Sequence, residues 1–169
     1  MALTVQDDNG SVAGANSYVT VAEFKAYHTD RGNAFTATDS AIEKALVGAS
    51  DYLDTRFSYI GKRLRGREQT TEWPRYNAFD KDDVAVSGIP VEVKEAVAEY
   101  ALRALDAPLN ADPVQDGIVK ITKKLDPMES TIEYDTELLL EFPEYPAADL
   151  KLTRAGLVKT RTTGNVYRG

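Results

Sequence analysis

The chain has 169 residues, 43% of them hydrophobic, a formal net charge of −7 and no cysteine. Its length and apolar content suit one domain with appendages and exclude a wholly disordered chain. The missing thiols exclude disulfides, thiolate metal sites and a cysteine nucleophile, and they fit an intracellular protein.

Residues 1–17 are polar and rich in Gly, Asn and Asp. They read as an extended or mobile N-terminal arm. The segment has neither the basic nor the apolar region of a signal peptide. No apolar run approaches the roughly 20 residues that span a bilayer, so the chain reads as soluble and cytosolic when made. At Thr20 the stretch "TVAE" forms a capping box that predicts a helix start. Val21, Phe24 and Tyr27 or His28 fall on one face, and "DRGN" stops the helix near Gly32. A second helix is predicted over 38–57. Its apolar residues Ile42, Ala45, Leu46, Ala49, Tyr52, Leu53 and Phe57 recur every three or four positions. The loop "GKRLRGREQTTEWPRYNAFD", residues 61–80, follows. A third helix is predicted over 90–106, with Pro90 suited to its first position. Val93, Ala96, Val97, Tyr100, Ala101, Ala104 and Leu105 make its buried stripe, whose small alanines allow close helix approach. Residues 18–106 thus read as a helical core domain.

Residues 107–150 read as a β-hairpin plus a proline-rich segment. "GIVKITKKL" and "STIEYD" alternate with period two, and "DPME" supplies the turn. Ile118, Ile121 and Leu125 break strict alternation, which predicts a bulge or a short strand. "EFPEYPAADLKL" is broken by prolines, with room for a short helix after Pro146. Residues 151–169 carry five basic residues and no acidic one, and they read as an exposed basic C-terminal arm. The fold class is therefore mainly α: a small core of three to four helices, a short β-hairpin and extended terminal arms.

Charge falls in blocks. Residues 1–55 have a net charge of −5, 56–75 of +4, 76–150 of −11 and 151–169 of +5. Such alternation suits pairing between copies, and it equally describes unrelated solvated faces. Catalytic constellations are missing. His28 is the lone histidine, and its sequence neighbours offer no nucleophile. No metal-site, phosphate-loop or dinucleotide motif occurs; "GKRLRGR" has the wrong glycine spacing. The expectation is no enzyme, no cofactor and no metal site.

The 61–80 loop concentrates Lys62, Arg63, Arg65, Arg67 and Arg75 around the sole tryptophan, Trp73. Three roles stay open: a plug over the helical core, a subunit contact, or a nucleic-acid grip. A grip would stack bases on the indole, but the acidic chain repels DNA at long range. Pro74 holds Trp73 extended, which favours the plug.

Four stretches in order resemble a family of tailed-phage head–tail connector, or adaptor, proteins, often labelled DnaT-like single-stranded-DNA-binding. They are "ANSYVTVAEFKAYHTDRG", "AIEKALVGASDYLD", "GKRLRGREQTTEWPR" and "GIPVEVKEAVAEYALRAL", covering residues 14–106. The third carries the family's Gly61, Gln69, Trp73, Pro74 and Arg75. The sequence departs at Thr71, where leucine is usual, and near Phe35, where tryptophan is usual. The resemblance implies a virion protein that forms a ring, commonly of twelve copies. The ring docks beneath the portal, meets the next neck or tail protein, and lets double-stranded DNA pass. It implies no membrane partner, residence at the virion's head–tail junction, and the host cytoplasm during assembly. Arg63, Arg65, Arg67, Arg154, Lys159, Arg161, Tyr167 and Arg168 become the candidate subunit or portal contacts. The alternative function is a replication-type single-stranded-DNA-binding protein.

Overall fold

The computed structural model of the protein describes residues 2–109, 118–124, 129–134 and 145–159. Four helices dominate: α1 Val21–Asp30, α2 Asp39–Arg56, α3 Val91–Asp106 and α4 Pro146–Arg154. Two short strands, β1 Lys62–Arg63 and β2 Arg75–Tyr76, close the loop between α2 and α3. Strands β3 Ile118–Lys124 and β4 Glu129–Tyr134 form a separate antiparallel hairpin. The chain is thus mainly α, and it divides into two compact units. One comprises Met1–Leu109 with Tyr145–Gly169; the other is Asn110–Glu144.

Local sequence explains the helix ends. The Thr20 hydroxyl accepts from the Glu23 N–H at 3.1 Å, and the Glu23 carboxylate accepts from the Thr20 N–H at 2.8 Å. Two orphan donors are thereby satisfied reciprocally. Gly32, at φ +69°, ends α1. Thr38 caps α2 through the Ala41 N–H. Pro90 is the N-cap of α3 rather than its first helical residue. The core of the first unit gathers Phe24 from α1, Ile42, Leu46 and Leu53 from α2, Val93, Val97 and Tyr100 from α3, and Leu152 from α4.

His28 is fully buried. Its Nε2 donates to the Ala98 carbonyl at 3.0 Å, and its Nδ1 accepts from the Asn33 amide at 3.0 Å. Both ring nitrogens are engaged, Nε2 joining α1 to α3 and Nδ1 holding the segment that follows α1.

Two expectations about arms are corrected. The N-terminal segment is extended but docked. Gln6, Ala15 and Ser17 are buried, Val5 bridges Ser17, and the Asp8 carboxylate accepts the Ile89 N–H at 3.0 Å. Its polar residues are there to bond the core, which composition cannot reveal. The C-terminal basic segment does not begin as an arm at 151 either. Leu152 and Leu157 are buried, the Ile60 N–H donates to the Leu157 carbonyl at 3.1 Å, and the Lys159 N–H donates to Ser58 at 2.7 Å. Ala148 and Leu152, four apart, face the core, so residues 145–159 belong to the helical unit.

Within the second unit Lys120 stands opposite Glu133, Thr122 opposite Thr131, and Lys124 opposite Glu129. The register shifts between Ile118 and Lys120, the irregularity that the broken alternation predicts. The turn residues 125–128 lie outside the described residues.

Candidate functional site

The loop between α2 and α3 is held by side chains that bond its own backbone. Buried Gln69 donates from Nε2 to the carbonyls of Thr71, at 2.8 Å, and Pro74, at 3.0 Å. Its Oε1 lies at 3.4 Å from the Arg65 N–H. One amide thus stands in for several of the ladder bonds that a longer strand pair would make. The Thr71 hydroxyl donates to the Trp73 carbonyl at 2.8 Å and accepts from Gln6 Nε2 at 3.2 Å. A leucine at position 71 could make neither bond. Gly10, at φ +64°, approaches Gln69 so closely that a Cβ there would lie 2.7 Å from Oε1.

Trp73 is 0% exposed, and the Trp73–Pro74 peptide is cis. The indole meets the Tyr59 ring edge to face, centroids 5.8 Å apart. Its Nε1 is buried, and among the described residues it has no hydrogen-bond partner. The Trp73 N–H donates to the Tyr18 hydroxyl at 3.1 Å, and that hydroxyl donates onward to Asp54 Oδ1 at 2.6 Å. Asp54 Oδ2 accepts the Glu72 N–H at 3.0 Å. Burial pushes the Asp54 carboxyl up to about 7, aided by the nearby Glu72 and Asp51 charges and opposed by the two hydrogen bonds it accepts. Burial also pushes the Tyr18 hydroxyl well above its ordinary value.

The arginines divide. Arg75 is nearly enclosed: Nε donates to the Ile60 carbonyl at 2.7 Å, NH2 to the Gly61 carbonyl at 3.1 Å, and NH1 pairs with Glu72. Arg63 binds the other Glu72 oxygen at 2.8 Å. One carboxylate therefore pairs with two guanidinium groups and leaves the trio a net charge of about +1. Arg65 is exposed but donates to the Asn9 carbonyl at 2.9 Å. Arg67 is exposed, and among the described residues no hydrogen bond or ion pair holds it. Arg154 and Lys159 are exposed on the helical unit. Arg161, Tyr167 and Arg168 lie outside the described residues. Trp73, Pro74, Gln69 and Arg75 come together in one bonded turn. Among the described contact candidates, Arg63 and Arg65 are fastened to it and the others are not.

Sequence reasoning missed Tyr18, Asp54, Thr71 and Glu72 as partners of this turn. A signal existed: Tyr18 lies in the "NSYV" stretch and Asp54 ends "DYLD", two of the segments that carry the family resemblance. A second missed network fastens α4. Asp149 accepts from the Tyr100 hydroxyl and pairs with Arg56 NH2 at 2.9 Å, beside the mutually edge-on rings of Tyr52, Tyr100 and Tyr145.

Among the described residues no group of three or more His, Cys, Asp or Glu could hold a metal, and no helix is long and apolar enough to cross a membrane. The model of the family described as "Putative DnaT-like ssDNA binding protein" matches residues 1–169. No curated protein matches the chain, and no solved structure does.

Proposed function

We propose, from the premise that this chain belongs to the family described as putative DnaT-like ssDNA binding proteins, that it serves as a structural assembly subunit and not as a DNA grip. In this reading it is a head–tail connector: one of about a dozen copies in a ring beneath a portal. The ring meets the next neck or tail protein and leaves double-stranded DNA a passage. It resides at the virion's head–tail junction, reaches it from the host cytoplasm, and performs no catalysis.

The observation that carries this reading is the complete burial of Trp73. A single-strand-binding platform stacks bases on exposed aromatic faces along a cationic groove. Here the indole is enclosed, and Arg63 and Arg75 are both tied to Glu72, which offsets half of their charge. A chain of net charge −7 also suits a passage along which DNA slides without sticking. The resemblance of residues 14–106 to adaptor proteins supplies the finer identity.

A second reading, single-stranded-DNA binding, is favoured by the family's description and by the exposed cations Lys62, Arg65 and Arg67. Titration with a labelled oligonucleotide at physiological salt separates the two. The connector reading expects a Kd weaker than about 10 μM, the range of non-specific contacts. Submicromolar binding with a steep salt slope, abolished by reversing those three cations to glutamate, would overturn it in favour of the second reading. Locating the chain in neck density of purified virions tests the connector assignment directly; its absence from the particle refutes it.

A further inference from the structure

We infer that the β3–β4 hairpin is an association element for a second copy of this chain, the β3 edge of one copy pairing with the β4 edge of the next. The hairpin lies in its own compact unit. It has two strands, of seven and six residues, and among the described residues neither outer edge has a strand partner. A two-stranded ribbon is marginal in water by itself. Each outer edge also presents a row of backbone donors and acceptors that templates further pairing.

Charge selects the occupant. β3 contains Lys120, Lys123 and Lys124 and no acid; β4 contains Glu129 and Glu133 and no Lys or Arg. The hairpin's own register sets Lys120 opposite Glu133 and Lys124 opposite Glu129. Pairing β3 with another copy's β4 repeats that match of basic against acidic strand. Pairing β3 with β3, or β4 with β4, sets like charges opposite one another, which destabilises. The contact is therefore heterologous. Such contacts propagate from copy to copy and, when the rotation closes, make rings. Closure also removes every free edge. The inference deepens the ring reading: it rests on that reading for closure and on the hairpin for the contact.

The test uses two full-length variants. Lys120→Glu/Lys123→Glu/Lys124→Glu makes both strands acidic, and Glu129→Lys/Glu133→Lys makes both basic. Sedimentation of the wild type should show concentration-dependent association. Each variant alone should associate at least about tenfold more weakly. Their equimolar mixture should recover association, because each chain then offers the edge the other lacks. A mixture that remains as dissociated as its components would overturn the inference, because the substitutions would then act only within each hairpin. So would a wild type that stays monomeric at every concentration, or association that neither variant weakens. The oligonucleotide and virion measurements read the connector assignment separately, so one result can fail without the other.

Discussion

The Trp-Pro-Arg turn and the β3–β4 hairpin are both non-helical and both crowded with charge, yet they use it in opposite ways. The turn directs its polar groups inward: Gln69 and Thr71 bond its backbone, and Glu72 ties Arg63 and Arg75 together. The hairpin leaves two backbone edges without a strand partner among the described residues. A dense cationic stretch is therefore no guide to a binding surface until its partners are counted. When the partners lie within the chain, the stretch holds the fold; when the backbone itself is unpaired, it invites another chain.

The largest expected effects lie in the turn. Trp73→Ala should destabilise the helical unit by about 3–5 kcal/mol, because it empties a fully enclosed site. Denaturant unfolding checks this, and the wild-type fluorescence maximum should be blue-shifted. An unchanged midpoint, or a solvent-like maximum, would break the contrast at its centre.

Nearly as large is a pH dependence from Asp54. Its folded-state value of about 7 exceeds the ordinary 3.8, so the native chain holds the proton more tightly than the unfolded one. Its contribution is fully present below about pH 4 and is lost as pH rises through about 7. It amounts to about 4 kcal/mol at most. Midpoints measured across that window should fall with pH in the wild type, and the slope should flatten in Asp54→Asn. Parallel profiles for the two proteins would refute the assignment.

Tyr18→Phe tests the link between those two residues. It removes the hydroxyl that accepts from the Trp73 N–H and donates to Asp54. The cost should be about 1–3 kcal/mol, since two buried groups lose a partner. It should also change the Asp54 slope, which a simple packing defect would leave alone.

The smallest effects sharpen the other side. Arg67→Ala removes an exposed side chain that nothing among the described residues holds, and Lys123→Ala alters a hairpin whose outer edges have no strand partner among those residues. Each should change the melting of the helical unit by no more than about 0.5 kcal/mol. The second should nevertheless weaken self-association. A large loss of helical stability from Lys123→Ala would erase the distinction between the two regions.

The sequence by itself determined the elements whose rules are local. The capping box at Thr20 and Glu23, the stripes of α2 and α3, and the hairpin with its irregularity near Ile118 follow from spacings of two, three or four residues. It also determined that Pro74 would constrain the approach of the sole tryptophan. Only the tertiary structure decided what those elements bond. Gln6 meets Thr71 across 65 positions, Tyr18 meets Trp73 across 55, and Arg56 meets Asp149 across 93. None of these pairs has a periodic signature, because each forms only after the helices have packed. The docking of the N-terminal segment and of residues 151–159 was hidden for the same reason. Polar and basic composition describes a solvated arm and a bonded strap equally well, and only the position of the core tells them apart.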